Sequence, residues 1–302
     1  MFVTSKISIM QIFHLKNNDI DYVLWDERIS MSLNGLLYAY SWYLDIVSPD
    51  WEALVTADYE YVMPLPKKQK YSISYLTQPC LTQQLGIFSK KLLTEDIVKK
   101  FIRRIPYLSY ELNLNESNYY PNAIKYPNYM LDLNQSYNDI YSEYSKNTKR
   151  NIDKAQRLKL RFQSDLSLND FAIFYFSTEK NHPSVNRDIM CRLISKGIEK
   201  DVVLLYGVRN SEGCLLSALC LLRSLNRIIY LVAVSNAEGK SSSAMFLLAD
   251  KIICQEAGSN KVLDFEGSRI EGLARFYKSF GAEKRDYYTI KRFRPAFLIH
   301  KK

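Results

Sequence analysis

The sequence predicts an α/β (α+β) fold, with mixed central sheets flanked by helices and two domains, at 1–135 and 136–302. Three observations predict it. The 302 residues suit two domains of ordinary size. Short β-branched and aromatic runs alternate with amphipathic helical stretches. The charge also divides: residues 1–135 carry 13 basic and 14 acidic side chains, whereas 136–302 carry 28 and 18. With 47% apolar and 24% charged residues the chain has the makings of a real core, which excludes a disordered or collagen-like protein. The basic excess directs an anionic ligand to the second half.

In the first half a mixed segment around Trp25 precedes a helix at 35–46, which ends before Ser48-Pro49. Strand-like runs follow at 51–56, 59–63 and 71–76, the last two separated by a polar turn at 64–70. Residues 94–105 read as a helix, with Thr94 as N-cap, Glu95 and Asp96 in the first turn and Arg103 and Arg104 in the last. Further strands are expected at 107–114 and 129–133.

The second half opens on Ser136 and Asp139, a capping-box-like start to a helix that runs to about Leu158. Lys146, Arg150, Lys154, Arg157 and Arg161 step along one face of it. Tyr141, Tyr144, Thr148, Ile152 and Ala155 form the face turned to the core. Helical regions at 168–180 and 186–200 lead to strands at 202–209 and 214–223, joined by the turn at 210–213. A strand at 227–235, a helix at 242–257, a strand at 261–265, a helix at 273–280 stopped by Gly281, and a strand at 287–293 complete the order.

The first residues show no apolar core of signal-peptide length, so no cleaved leader is expected. Apolar stretches at 214–222 and 228–234 fall far short of the roughly 20 residues that span a bilayer. Five cysteines with no CxxC pair read as reduced, buried thiols of a cytoplasmic protein. His14, His182 and His300 are scattered, so a metal site or a His-based triad is not expected.

Two stretches carry chemistry. Asn236-Ala237-Glu238-Gly239-Lys240-Ser241 joins an apolar strand to a helix start, where unpaired amides and the helix dipole favour phosphate. Val234, Asn236, Gly239, Lys240, Ser241 and Ser242 are the candidate cofactor-binding residues. A Walker A loop would need glycine five positions before Gly239. Val234 stands there, so that reading fails. An ordinary turn, bent at Gly239 and capped by Ser241 or Ser242, is the plainer alternative. In the strand that follows, period two places Asp264, Glu266 and Ser268 on one face. Asp264 and Glu266 are the candidate catalytic bases, able to take a proton from an amine nucleophile. Pairing of either with Arg269 or Arg275 is the structural alternative. The 146–161 helix offers Lys146, Arg150 and Lys154 as anion ligands for phosphate or nucleic acid, or simply a solvated face.

The order of elements resembles a GNAT acyltransferase domain, and the residues sharpen the likeness. Ser145-Lys146-Asn147-Thr148-Lys149-Arg150-Asn151-Ile152-Asp153-Lys154-Ala155 resembles the Arg-Asn-Ile-x-Lys-Ala helix of the FemAB-like branch. Asp264-Phe265-Glu266-Gly267-Ser268 with Gly272-Leu273-Ala274-Arg275-Phe276-Tyr277-Lys278-Ser279-Phe280-Gly281-Ala282 is similar to that branch's strand and helix signature. The match covers roughly 136–292. Local similarity in the first half is confined to Trp42-Tyr43-Leu44 and Gln83-Gln84-Leu85-Gly86. Where the GNAT pyrophosphate loop reads Arg/Gln-x-x-Gly-x-Gly/Ala, this chain has Asn236 first and Ser241 last.

The resemblance implies two tandem GNAT-like domains and transfer of an acyl or aminoacyl group to a small-molecule or peptide amine. The first domain would lie on the acceptor side or be degenerate. Acyl-CoA such as acetyl-CoA, or else aminoacyl-tRNA, is the expected donor, without metal. Ser268, Tyr277 and Lys278 are the expected substrate residues, and tRNA is a candidate partner. The competing expectation is a catalytically degenerate GNAT-like protein that binds RNA or another macromolecule through its basic half.

Overall fold

Side-chain caps set most of the helix starts. Thr94, Ser136, Ser145, Ser167 and Asn186 each accept a backbone N–H from the first turn of the helix they precede. The computed structural model describes residues 10–178, 185–224, 226–267 and 270–293. Ser268, Arg269, the end of the helix expected to reach residue 180 and the basic residues beyond Phe293 therefore lie outside the described residues.

The chain packs as two units, one formed up to Lys125 together with the segment from Tyr287, the other by Tyr126–Asp286. This differs from the expected division at 135/136. Residues 130–132 pair with the strand at 262–264, and residues 288–292 pair with the strand at 110–114. Both pairings join distant segments, which no local pattern reveals.

The first unit comprises β1 (Ile12–Leu15), α1 (Tyr22–Met31), α2 (Ser41–Val47), β2 (Glu52–Thr56), β3 (Tyr61–Leu65), β4 (Lys67–Lys70), β5 (Ile73–Thr77), β6 (Phe88–Ser89), α3 (Glu95–Arg104) and β7 (Tyr110–Leu114). Strands β1-β2-β3-β6 form an antiparallel sheet. Strand β4 pairs with β5, and β5 runs parallel to β7. The expected polar turn at 64–70 is thus strand, turned back at Tyr71 and Ser72, which both have positive φ. Lys-Lys-Gln-Lys looks like a turn because edge strands are commonly charged. Trp25 and Trp51 pack with ring centroids 4.8 Å apart, and their indole N–H groups donate to the Ala39 carbonyl and the Asp45 carboxylate.

The second unit comprises β8 (Ile124–Asp132, from Tyr126), α4 (Tyr137–Ser142), α5 (Lys146–Arg157), β9 (Arg161–Gln163), α6 (Leu168–Ser177), α7 (Arg187–Glu199), β10 (Val203–Arg209), β11 (Leu215–Arg223), β12 (Arg227–Ser235), α8 (Ala237–Ser241), α9 (Ala244–Glu256), β13 (Val262–Asp264), α10 (Glu271–Lys278) and the start of β14 (Glu283–Arg292). Its strands run in the order β8-β13-β12-β11-β10-β9, with β12 and β13 parallel and the other neighbours antiparallel. The single helix expected from Ser136 to Leu158 is two. Tyr144 is buried at the break, and Ser145 both caps α5 and donates its N–H to the Ser279 carbonyl. Thr148, Ile152 and Ala155 are buried as the periodicity requires. The core joins these residues to α9, to the inward faces of β11 and β12, and to Phe265, Tyr277 and Phe280. Of the five cysteines only Cys220 is buried, so the expectation of buried thiols fails for the others.

Candidate functional site

Strand β13 pairs with β12 over all three of its residues, but only along the beginning of β12. Arg227, Ile228 and Ile229 face Val262, Leu263 and Asp264. The chain then leaves β12, and the Phe265 N–H donates to the Tyr129 carbonyl of β8. From Tyr230 to Ser235, β12 has strand pairing on its β11 side alone among the described residues. The β11–β12 register also shifts here: Cys220 faces Val232 and Leu221 faces Tyr230, so Leu231 is the extra residue of a bulge. Bulges bend a strand and re-aim its side chains. The result is a fork in the sheet, with exposed Ala233 and half-buried Val234 on the β12 arm.

Glu266 stands on the other arm. The expected alternation of Asp264, Glu266 and Ser268 along one strand face does not hold, because β13 stops at Asp264 and Glu266 takes a left-handed φ of 57°. Ser268 lies outside the described residues. Asp264 is 1% exposed and hydrogen-bonded at both oxygens. Oδ1 accepts from Asn128 Nδ2 and from the Glu266 N–H, each at 2.9 Å, and Oδ2 accepts from Arg227 at 3.0 Å. It forms an ion pair with Arg227; of the two arginines expected as alternatives, Arg269 lies outside the described residues. Arg275 faces Glu271. Glu266 is half-buried, and its charge reaches two neighbours. Burial first, then Glu266, raises the Cys220 thiol; burial, then Glu266 and Asp264, raises the Tyr277 hydroxyl.

The expected phosphate loop is helical. Asn236 caps α8 by accepting the Gly239 N–H at 2.7 Å, and its own carbonyl accepts from Lys240 N. The Ser242 and Ser243 amides donate to the Glu238 and Lys240 carbonyls. Gly239 is glycine for packing: a Cβ there would drive into the Leu216 carbonyl oxygen. Ser243, left-handed at φ 64°, turns the chain into α9 without a side-chain cap. Ala244 and Met245 keep amides with no acceptor among the described residues, but Ala244 is fully buried. A diphosphate needs several exposed amides converging on it. This loop does not fit that requirement.

No protein-family model and no curated protein matches the sequence. Solved structures do resemble it. FemX aligns over 92% of this chain and 97% of its own, with a TM-score of 0.66 and 11% identity. A conserved protein of unknown function from Bacteroides thetaiotaomicron aligns over 94% and 100%, with a TM-score of 0.55 and 9% identity. L-PGS from Bacillus licheniformis aligns over 84% and 88%, with a TM-score of 0.52 and 9% identity.

The chain has a FemAB-like GNAT fold. Likenesses at this level of identity establish the fold and leave the chemistry to the residues. Within the FemAB-like GNAT fold, α5 is bound to the loop. Lys154 Nζ donates to the Ser241 carbonyl and Ser243 Oγ to Asn151 Oδ1, both at 2.7 Å. Lys146 and Arg150 remain on the exposed face, with Arg157 further along it. Tyr277 is 8% exposed and stacks on Phe265 with centroids 5.0 Å apart, so most of its ring belongs to the core. Lys278 is exposed, with Nζ 5.5 Å from the Tyr129 ring centroid. Among the described residues no group of three or more His, Cys, Asp or Glu side chains is placed to hold a metal ion, and no helix is long and apolar enough to cross a membrane.

Sequence reasoning missed Asn128 and Arg227. Each stands at the edge of an apolar run, and only the β8-β13-β12 order brings both to Asp264.

Proposed function

We propose that the protein is an acyltransferase that moves an acyl or aminoacyl group from a phosphate-bearing donor to the amine of a small molecule or peptide. The observation that carries this reading is the fork between β12 and β13 with Glu266 on one arm. An acceptor amine reaches the site as an ammonium ion and attacks only after losing a proton. Glu266, half-buried, takes that proton, rather than Asp264, which is 1% exposed and ion-paired with Arg227. The amine nitrogen then bonds to the acyl carbon while the bond to the donor's oxygen or sulfur breaks, and that leaving atom collects a proton. Positioning supplies most of the rate in such a site. A placed base adds a factor of about 10² to 10⁴.

Of the two donors, the loop geometry favours aminoacyl-tRNA over acyl-CoA. Four of the amides at 239–243 that would hold a pyrophosphate bind the loop itself, whereas Lys146, Arg150 and Arg157 present a basic face suited to a polyanion. The Lys154 bond to Ser241 ties that face to the loop beside the fork.

A thermal-shift comparison of coenzyme A, acetyl-CoA and mixed charged tRNA tests the donor, since a ligand that binds only the native state stabilises it in proportion to the logarithm of its concentration over Kd. A shift with tRNA alone supports the proposal. A shift with acetyl-CoA alone returns the donor to coenzyme A. The same engaged loop supports a second reading, a degenerate GNAT-like protein that binds RNA without transfer. Steeply salt-dependent RNA binding with no transfer to any amine would establish it.

A further inference from the structure

Three side chains from three neighbouring strands meet beside the fork. Asn128 on β8, Asp264 on β13 and Arg227 on β12 form one cluster, with Asn128 and Asp264 each 1% exposed and Arg227 half-buried. Each strand contributes one polar group at a place otherwise lined by apolar residues such as Leu263 and Ile228. A carboxylate buried so completely is costly unless its oxygens are bonded. Among the described residues Arg227 and Asn128 donate two hydrogen bonds to it, and a third comes from the main-chain N–H of Glu266.

That third bond is the informative one. Glu266 has a left-handed φ of 57°, a conformation that side-chain-bearing residues seldom adopt without support. The same residue ends β13 and starts the divergence of the two strands. A hydrogen bond to a charged acceptor is shorter and stronger than one to a neutral acceptor, so the Asp264 carboxylate is well suited to hold this amide in an unfavourable turn.

We propose that Asp264, clamped by Arg227 and Asn128, is a positioning residue whose carboxylate anchors the Glu266 N–H and so fixes the left-handed turn that carries Glu266 at the fork. Asp264 acts through Glu266 and does not take the substrate proton. The anchor is a property of the fold; only its catalytic consequence rests on the acyltransferase reading.

The test uses the full chain and the variants Asp264→Asn, Arg227→Lys and Arg227→Met. Amide hydrogen exchange at Glu266 is read against the ladder amides of β12 and β13 as a folding control. Exchange at Glu266 rises at least tenfold in Asp264→Asn and Arg227→Met. Arg227→Lys, which keeps the charge, stays within threefold of the parent, and the ladder amides do not move. Unchanged exchange at Glu266 in both Asp264→Asn and Arg227→Met overturns the anchor. If Arg227→Met does not fold, the isosteric Asp264→Asn decides alone.

A kinetic arm follows loss of the acyl group from acetyl-CoA and from charged tRNA in the presence of primary amines. Asp264→Asn and Glu266→Gln both lower kcat at least tenfold with KM within twofold. Parent-like kcat in Asp264→Asn, with Glu266→Gln impaired, removes the positioning role. Parent-like kcat in Glu266→Gln, with the exchange result as expected, leaves the anchor standing and removes the proton-transfer reading of Glu266.

Discussion

Lys154 on α5 donates to the Ser241 carbonyl at the end of α8, 2.7 Å away and 87 residues further along the chain. One lysine of the basic helix is thereby committed to the loop, and its neighbours Lys146 and Arg150 are left to meet solvent or a polyanion.

Lys154→Met should therefore loosen the loop rather than weaken anion binding most. A single exposed hydrogen bond contributes about 0.5–1.5 kcal/mol, so the urea midpoint falls only slightly. Amide exchange over 236–243 should rise clearly. Parent-like exchange there would show that the contact does not hold the loop.

Lys146→Gln and Arg150→Gln bear on the basic face. If the donor or partner is RNA, each substitution reduces the slope of log affinity against log salt by about one phosphate contact. Filter binding of tRNA over a salt series measures it. Equal slopes for parent and variants would place RNA elsewhere.

Gly239→Ala tests why the loop contains glycine. The added Cβ meets the Leu216 carbonyl oxygen of β11, so α8 must shift away from the sheet. Overpacking of this kind costs about 1–3 kcal/mol. Chemical denaturation should show the loss even without ligand, which separates a packing role from a phosphate-binding one.

Glu52 on β2 gives the first unit an acid-sensitive contact. Burial alone would raise its pKa, but hydrogen bonds from Tyr107, Lys67, Lys16 and His14 outweigh that and hold it at about 2. His14 Nε2 and Tyr107 Oη each lie 2.5 Å from Oε2. The folded pKa is below the unfolded one, so the stabilisation is complete above the ordinary value of 4.5 and is lost as pH falls toward 2. Glu52→Gln should be less stable than the parent at neutral pH, and the difference should shrink as the pH falls below about 4.5. A difference constant across that range would contradict the assignment.

By itself the sequence determined the α/β class, most helix and strand positions, the caps at Thr94 and Ser136, and the basic face of α5. These follow from side-chain period and local hydrogen bonding, which act within a few residues. The resemblance between the 264–282 stretch and the FemAB-like signature placed the fold correctly as well.

Tertiary structure alone decided the rest. The unit boundary at Lys125, the return of residues 288–292 to β7, and the Asn128–Asp264–Arg227 cluster depend on strand order, and pairings between distant segments leave no trace in any local window. Strand alternation put Asp264 and Glu266 on one face, with Glu266 the first choice of base and Asp264 the second. Once Asp264 is buried against Asn128 and Arg227 and Glu266 takes a left-handed turn, the two carboxylates can no longer do the same work.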